Sequence, residues 1–280
     1  MPLKLMYITN RAEIAEIAQA NGVDRIFIDM EYIGKSIRQG GMDTVQSHHT
    51  TEDVRTVRKV LDKSQLLVRC NPIHESTAEY CSSKEEIDDT VGSGADIIML
   101  PYFKTVSEVE KFVGYVNGRC RTMLLVETPE AAEKIDDILN VGGIDEIHIG
   151  LNDLSLGLGK KFMFEILAEG MVDRLCDKIR NRVSSFGFGG IAALGKGAIP
   201  AEMVIREHYR LGSKCAILSR SFCDAGKIPD INEVSRIFET GLCKIRDLEK
   251  ECESADAGYF DKNRKEFITA VNAFVAGLNK

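Results

Sequence analysis

Two carboxylates, Glu127 and Asp153, lie at the ends of two successive apolar segments within residues 124–159. Twenty-six residues separate them, which is about the length that one strand, helix and return loop of a βαβ unit require. The spacing predicts that both side chains emerge at the same C-terminal edge of a parallel sheet. Carboxylate oxygens that converge there suit a hard divalent cation such as Mg²⁺ or Mn²⁺, with water or a chelating substrate in the remaining coordination positions.

The same two residues also fit a plainer structural interpretation. Glu127 could be a surface carboxylate at the start of a helix, and Asp153 could be the N-cap of another helix. Spacing alone supports both interpretations equally. The metal site is therefore a hypothesis that depends on what else gathers at this edge of the sheet.

Further charged side chains follow the second and third predicted strands. Asp29 and Glu31 are two residues apart, so they share one face if the strand continues that far. A buried acid pair must be metal-bound, hydrogen-bonded or partly protonated. Arg69 ends the third strand, where a guanidinium can bind a substrate carboxylate through two parallel hydrogen bonds. The alternative for Arg69 is a structural ion pair with Asp29 or Glu31.

The longest irregular segment, residues 34–50, follows the second strand. A loop of that length at a barrel rim is more often an active-site element than a simple connection. It contributes four candidate side chains, of which the histidines are plausible proton carriers near neutral pH: Lys35, Arg38, His48 and His49. The adjacent histidines also fit a loop that merely leads into a helix cap.

Two more features of the rim are weaker signals. Arg220, at the end of the eighth strand, could recognise a distal anionic group of the substrate or form a salt bridge at the rim. The glycine-flanked turn at residues 195–197 precedes a helix, and such turns after the seventh and eighth strands of a barrel are frequent phosphate sites. Glycines also close ordinary loops.

The elements that must position these side chains alternate along the chain. Short apolar, β-branched segments are each followed by a segment of helical period, which is typical of a parallel α/β fold. Eight such pairs favour a closed (β/α)₈ TIM barrel over an open sheet. The predicted strands are 3–8, 25–30, 66–70, 97–100, 122–126, 146–150, 190–194 and 215–218, and the predicted helices are 12–20, 51–61, 84–91, 106–116, 130–139, 164–186, 201–211 and 231–251.

An additional helix is predicted over residues 259–278, after the eighth unit. It has no strand to serve, so its apolar positions need a partner surface on the barrel or on a neighbouring subunit. No linker rich in proline, glycine or serine divides the chain. We therefore predict one barrel domain over residues 1–280, with residues 258–280 as a C-terminal helical extension that subunits could exchange.

Composition narrows the function classes. The chain has 280 residues, 44% of them apolar and 28% charged, as expected for a globular protein. A net charge of −7 argues against nucleic-acid and anionic-membrane partners. The first residues do not resemble a signal peptide, and no apolar segment approaches the roughly 20 residues that a bilayer requires. The eight cysteines include no CxxC pair, which predicts reduced thiols in a cytoplasmic protein.

Four sequence blocks in succession carry a resemblance to a known family: LVRCNP, GADIIMLP, VETPEA and GLNDLSLGLG. In this order they resemble the blocks of the HpcH/HpaI aldolase and citrate lyase beta-subunit family. The resemblance covers roughly residues 24–160 and is strongest over the last two blocks. Several blocks in the same order are far more specific than any one of them.

The resemblance implies a modified (β/α)₈ barrel with a divalent metal ion, Mg²⁺ or Mn²⁺, bound by Glu127 and Asp153. The metal would chelate the carboxylate and keto oxygens of pyruvate, oxaloacetate or a related keto acid. Arg69 would stabilise the developing enolate, and backbone amides of the turn formed by Leu151, Asn152 and Asp153 would hold the substrate carboxylate. Members of this family tend to form oligomers by exchanging C-terminal helices, which implies a homo-oligomer.

The chain departs from the family pattern at three positions. Tyr32 replaces a histidine that acts as general base, Gly92 falls where the acidic partner of that histidine is expected, and Leu125 replaces a common glutamine. The usual dyad is therefore absent, as in citrate lyase-like members. We predict Arg69, Glu31, Tyr32 and His49 as catalytic residues, although the ordinary pKa of tyrosine, near 10, makes it a poor base.

Together these features predict a divalent-metal-dependent C–C lyase, aldolase or synthase that acts through a pyruvate- or oxaloacetate-like enolate. Arg69, Leu151, Asn152, Asp153 and Arg220 are the predicted substrate-binding residues. A second hypothesis is a non-catalytic family member that binds metal or keto acid as a binding or assembly component. A third is a phosphosugar-binding barrel that uses the turn at residues 195–197.

Overall fold

Eight parallel strands form a closed barrel in which each strand pairs with its neighbours in sequence and β8 pairs with β1. The architecture comes from a computed structural model that describes residues 2–35 and 49–278. The strands are β1 Lys4–Ile8, β2 Arg25–Asp29, β3 Gln65–Arg69, β4 Ile97–Leu100, β5 Arg121–Val126, β6 Glu146–Ile149, β7 Ser185–Ile191 and β8 Cys215–Leu218. The predicted (β/α)₈ TIM barrel is confirmed.

Helices surround the barrel and connect successive strands. In the described ranges they are α1 Ala12–Ala20, α2 Thr51–Arg58, α3 Ser83–Gly92, α4 Val106–Val116, α5 Pro129–Glu133, α6 Ile135–Ile138, α7 Leu151–Gly157, α8 Glu165–Ala168, α9 Met171–Ile179, α10 Ala201–Leu211, α11 Ile231–Ser254 and α12 Ala257–Leu278. The rim at the C-terminal ends of the strands is where the chain turns from each strand into the following helix.

The two faces of each strand have different partners. One set of buried side chains fills the barrel interior, and it includes Met6, Phe27, Leu67, Met99 and Met123. The opposite faces pack against the helices in a larger core. This arrangement explains why the strands are apolar on both faces and appear in the sequence as short continuous apolar segments.

Capping side chains mark where the rim loops end and the helices begin. Thr50, Ser82 and Thr105 each accept a hydrogen bond from the backbone N–H three residues ahead, and an acidic side chain there bonds back to the cap. Thr128 accepts from the backbone N–H of Ala131 and starts α5 in the same way. These caps stabilise the first turns of helices that begin at the functional rim.

The prediction was wrong around β7. A helix was expected over 164–186 and a strand over 190–194, but the helical segment is divided into α8 and α9, and the strand begins at Ser185. Gly170, with φ of 77°, interrupts the helix. Within β7, a Cβ on Gly187 would lie 2.0 Å from the backbone oxygen of Cys215, so this close strand approach requires glycine. Glycines hide the apolar pattern from which a strand is recognised.

Two other local predictions need correction. The helix expected over 130–139 is divided into α5 and α6, and the turn expected over residues 150–153 is the beginning of α7. Gly150 is the N-cap residue of α7, without a side-chain cap hydrogen bond. A helix of seven residues is too short to show a clear helical period in the sequence.

The terminal helix α12 packs on the barrel of its own chain. Phe274 contacts Phe162 with ring centroids 4.3 Å apart, and Phe267 meets Phe164 edge to face at 5.9 Å. Buried Glu207 on α10 accepts hydrogen bonds from Asn263 and Arg264 of α12. The predicted terminal helix is therefore present, and its exchange between subunits stays a prediction.

Two observations bear on the expected environment of the protein. All eight cysteines are free thiols, and Cys70, Cys176 and Cys215 are among those buried in the core. No helix within the described residues has both the length and the hydropathy needed to cross a membrane.

Candidate active site

A cavity of about 390 Å³ opens at the C-terminal rim of the barrel. Arg69 at the end of β3, Glu127 directly after β5 and Asp153 in α7 all line it. These are the three side chains that sequence analysis assigned to substrate and metal binding. Because the strands are parallel, residues far apart in sequence meet at this rim, as is usual for barrel active sites.

Glu127 is held in a defined position. Its side chain is almost completely buried, at 4% exposure, and its Oε1 accepts a hydrogen bond of 3.0 Å from the backbone N–H of Tyr102. Tyr102 has a left-handed backbone, with φ of 48°, which costs energy for a residue other than glycine. A Cβ on Gly150 would lie 2.7 Å from the Cβ of Glu127, so only glycine fits there.

The plainer interpretation of these two carboxylates does not hold. Glu127 is buried, and the cap of the helix that follows it is Thr128. Asp153 lies within the first turn of α7, for which Gly150 is the N-cap. Neither carboxylate has the capping role that was the alternative to a shared site.

Arg69 forms a buried ion-pair network with the acids that follow β2. Its Nε and Nη2 donate to the two oxygens of Asp29 at 2.8 Å each, and its Nη1 lies 3.3 Å from Glu31. Lys35 Nζ completes the network, 2.9 Å from Asp29 and 3.6 Å from Glu31. The acid pair is therefore satisfied by two cations, and the ion pair that was the alternative for Arg69 is present.

The network sets the charge of its members. Burial alone would raise the pKa of Asp29, but the positive charge of Arg69 and of Lys35 and their hydrogen bonds outweigh burial, so the pKa lies well below its usual range. Arg69 keeps a side-chain exposure of 15% despite these bonds. Its guanidinium is therefore oriented by carboxylates and still reaches open space.

A second cavity of about 480 Å³ lies on the other side of Arg69. Asp29, Lys35, His49 and Arg220 line it together with Arg69. His49 Nδ1 accepts a 3.0 Å hydrogen bond from the backbone N–H of Asp29. An imidazole ring that accepts a hydrogen bond at Nδ1 is neutral and carries its proton on Nε2. In this geometry Nε2 of His49 can donate a proton, and it can accept one only after it has lost its own.

The other predicted residues are distributed unevenly around these cavities. Leu151 and Asn152 line the first cavity with Asp153, and the Asn152 side-chain amide donates to Asp153 at 3.1 Å. Arg220 is exposed at the rim and lines the second cavity. Glu31 is buried behind Arg69 in the network described above.

Tyr32 is placed differently from the other predicted catalytic residues. Its side chain is 48% exposed and lines neither of the two cavities. Its backbone N–H donates to the side chain of Asn71. Gly92 is the last residue of α3 and offers no carboxylate. Arg38 and His48, the remaining candidates of the second loop, lie outside the described residues.

One wall of the first cavity was not anticipated as functional. Phe162, Met163 and Phe164, in the segment between α7 and α8, face it together with Ile199 and Val204. Because apolar residues in a loop have no period, spacing could not assign them to a site.

His148 also lines this cavity, as a buried residue whose Nε2 lies 3.0 Å from the oxygen of Gly189. Burial lowers the pKa of His148 to about 4, so it is a neutral structural histidine.

The residues present fit a hard divalent cation. Glu127 and Asp153 offer carboxylate oxygens to one cavity, and Gly150 keeps the space beside the Glu127 carboxylate clear. Within residues 2–35 and 49–278 no group of three or more His, Cys, Asp or Glu side chains is arranged to hold a metal. A cation here would have two protein carboxylates and would take its remaining ligands from water or substrate.

Fold and site together define a (β/α)₈ barrel protein with two carboxylates and a guanidinium at one rim cavity. A family model described as HpcH/HpaI aldolase/citrate lyase matches residues 4–167, more than half of the chain. The chain belongs to the HpcH/HpaI aldolase/citrate lyase family, as the four sequence blocks indicated.

The individual relatives have low sequence identity to this chain. The 2-keto-3-deoxy-L-rhamnonate aldolase of Escherichia coli K12 is 26% identical over 160 residues, which cover 53% of this chain and 59% of that enzyme. The chain thus spans less than two thirds of the length of this curated relative.

Two solved structures share the fold. A family protein from Burkholderia cenocepacia has a TM-score of 0.60, 16% identity and coverage of 83% of this chain and 94% of its own. A citrate synthase has a TM-score of 0.58, 16% identity and coverage of 89% and 95%.

Proposed function

We propose that this protein is a divalent-metal-dependent C–C lyase or aldolase that acts on a keto acid through a pyruvate-like enolate. The observation that carries the proposal is that Glu127, Asp153 and Arg69 line one rim cavity. Membership of an aldolase and citrate lyase family supports the reaction class. The E. coli relative, named as an aldolase of a keto-deoxy sugar acid, is consistent with a keto-acid substrate.

The buried carboxylate of Glu127 and that of Asp153 are the proposed ligands of Mg²⁺ or Mn²⁺. A cation held there supplies Lewis-acid stabilisation of negative charge that develops on the keto oxygen. Arg69 adds a second positive group in the same cavity. Its geometry is already set by the bonds to Asp29, so little reorganisation is needed when the enolate forms. The backbone amides of Leu151 to Asp153 are proposed to hold the substrate carboxylate.

His49 is the proposed proton carrier in place of the missing histidine dyad. It lines the second cavity with Arg69, and its Nδ1 is occupied by the backbone N–H of Asp29. The proton on Nε2 of this neutral ring is the one proposed to move to the oxygen when a C–C bond forms to a carbonyl. Glu31 and Lys35 act as positioning residues, because both are bound within the Arg69 network.

A second candidate function is a non-catalytic metal or keto-acid binding protein. Tyr32 faces solvent and Gly92 has no side chain, so neither replaces the dyad that family aldolases use. This alternative keeps Glu127, Asp153 and Arg69 as binding residues and predicts ligand binding without turnover.

Metal-dependent proton exchange separates the two functions. Purified protein with Mn²⁺ or Mg²⁺ is assayed for oxaloacetate decarboxylation and for exchange of the methyl protons of pyruvate with D₂O, observed by NMR. Glu127→Gln and Arg69→Lys are each expected to reduce exchange by about 10²- to 10³-fold, whereas Glu133→Gln, an exposed carboxylate on α5, leaves it unchanged. Exchange that persists in EDTA would refute the metal enzyme, and binding of Mn²⁺ and pyruvate without exchange would support the binding protein.

We further propose a homo-oligomer of the cytoplasm. The free thiols are consistent with a reducing compartment, and the packing of α12 on the barrel is a contact that would form between subunits if this helix were exchanged. Light scattering on the purified chain tests the oligomer, since a monomer at micromolar concentration would contradict it.

A further inference from the structure

The first rim cavity is larger than a three-carbon keto acid requires, and most of its lining is apolar. Its volume of about 390 Å³ lies in the range of sites that enclose a whole small-molecule ligand. Small residues of β7 and the following loop line this space; they include Gly189, Gly190, Ala192, Gly197 and Ala198.

The chemistry of the lining changes around the rim. The charged side chains come from the ends of β3 and β5 and from α7, whereas the segments beside β6 and β7 contribute Phe162, Met163, Phe164, Ile199 and Val204. Ser219 and Ser221 lie on the β8 side. A ligand anchored by Glu127 and Arg69 that extends toward β6 and β7 therefore meets mainly hydrocarbon side chains.

The apolar wall is fixed rather than adaptable. Phe162 and Phe164 contact each other edge to face at 5.4 Å, and they are supported from behind by Phe274 and Phe267 of α12. Ile199 and Val204 are each 2% exposed. A preformed apolar wall of this kind selects ligands by hydrocarbon fit.

We propose that the second substrate of the reaction is an aldehyde with an unsubstituted hydrocarbon chain, which lies against Phe162, Ile199 and Val204. This inference rests on the proposed function. The methyl group of pyruvate loses a proton to water and becomes the enolate. The enolate carbon then forms a bond to the aldehyde carbon, the carbonyl π electrons move to the aldehyde oxygen, and that oxygen takes up a proton from water by way of His49, so that no net proton is gained or lost. The hydrocarbon chain does not react and contributes binding energy only.

Two physical effects set the expected selectivity. Each methylene buried against the wall is worth about 0.8 kcal/mol, which is roughly a fourfold increase in kcat/KM. A hydroxyl buried there without a partner costs about 1–3 kcal/mol, which is roughly a 5- to 150-fold decrease. A polyhydroxylated aldehyde should therefore be a much poorer substrate than its deoxygenated counterpart of equal carbon number.

The test uses the full-length protein with Mn²⁺, pyruvate and matched aldehydes. We expect kcat/KM to rise roughly fourfold per carbon from propanal to hexanal, and propanal to exceed glyceraldehyde by at least tenfold. Equal or reversed values would overturn the inference. Pyruvate exchange in D₂O is measured in parallel: exchange with the wrong aldehyde preference refutes this inference alone, whereas loss of exchange refutes the proposed function.

Variants of the wall give a second readout. Val204→Thr keeps the size of the side chain but adds a hydroxyl, and we expect it to lower the hexanal to glyceraldehyde ratio of kcat/KM at least fivefold. Val234→Thr is the matched control, because Val234 is also buried and is also the fourth residue of its helix, but it lies away from the cavity. Met163→Gln, at a half-buried position, is the second test variant if Val204→Thr does not fold. An unchanged ratio in the folded variants contradicts the inference.

Discussion

The barrel has a buried arginine and carboxylate pair at each end, and the two pairs differ in their surroundings. At the N-terminal end Arg25 donates to both oxygens of Glu146 at 2.7 and 2.8 Å, and both side chains are completely buried. At the C-terminal rim Arg69 donates to both oxygens of Asp29 in the same bidentate manner, but Arg69 lines two cavities.

The difference shows how one interaction can serve stability at one end and function at the other. The guanidinium of Arg25 is completely buried and donates to Glu146 and Gln65, and Glu146 also lies 2.9 Å from Arg121. Asp29 and Glu31 bind Arg69, Lys35 pairs with both acids, and 15% of the Arg69 side chain stays exposed. Bottom-face charges in such barrels contribute to stability, whereas rim charges carry chemistry.

The largest expected effect is at the closed end. Glu146→Gln leaves the buried charge of Arg25 without its carboxylate, and we expect a loss of about 3–5 kcal/mol in the free energy of unfolding, measured by urea denaturation. Asp136→Asn, which removes an exposed partner of Lys178, is the control and should change stability by less than about 0.5 kcal/mol. If Glu146→Gln lowered the free energy of unfolding only slightly, water would have to reach the pair of Arg25 and Glu146.

At the C-terminal rim the equivalent substitution should lower the free energy of unfolding by a smaller amount. Asp29→Asn removes one carboxylate, but Glu31 still faces Arg69 and Lys35, and Arg69 reaches solvent. We expect a loss of about 2 kcal/mol at pH 7. A loss as large as that for Glu146→Gln would contradict the distinction between the two ends.

The pH dependence of this loss has a defined sign. Because the folded pKa of Asp29 lies below the unfolded value, near 3.9, its contribution to stability is complete above that value and declines as pH falls below it. The difference between wild type and Asp29→Asn in free energy of unfolding should therefore be constant from pH 5 to 7 and narrow below about pH 4. A difference that widens on acidification would reverse the assigned sign.

The smallest expected effect is on the titration of His148, which reports how far water enters the cavity at the C-terminal rim. His148 lines the rim cavity, but burial lowers its pKa to about 4. Its ring resonances should not titrate between pH 8 and 5.5 in an NMR experiment. The spectrum is recorded in the His74→Gln variant, because this substitution removes the signal of a second, partly buried histidine. Titration of His148 with the ordinary histidine pKa of about 6.5 would show that water in the cavity reaches β6.

Local periodicity was enough for most of the barrel but not for all of it. The bounds of β4, β8, α1, α4 and α10 agree with the expected ranges, because each is a compact apolar or amphipathic segment between turn residues. Strand β7 was misplaced, and helix α7 was not predicted at all. The glycines that close packing requires conceal the apolar pattern of β7, and α7 is only two turns long.

For the site, residue type and strand position made Glu127, Asp153 and Arg69 candidates, since parallel strands end at a common rim, and the four ordered blocks favoured them over the structural alternatives. Sequence left two interpretations open for Arg69, and the structure contains the ion pair while keeping the guanidinium at the cavity. The solvent-facing position of Tyr32 and the apolar wall depend on how loops turn, for which no local pattern exists.

The sequence by itself determined the barrel, its eight repeats and the three residues that meet at its rim, because these follow from alternation of strands and helices and from four ordered blocks. Only the tertiary structure decided which side of Arg69 is open, which residues form the hydrocarbon wall and where α12 packs. Those properties arise from contacts between segments far apart in the chain, and such contacts leave no period in the sequence.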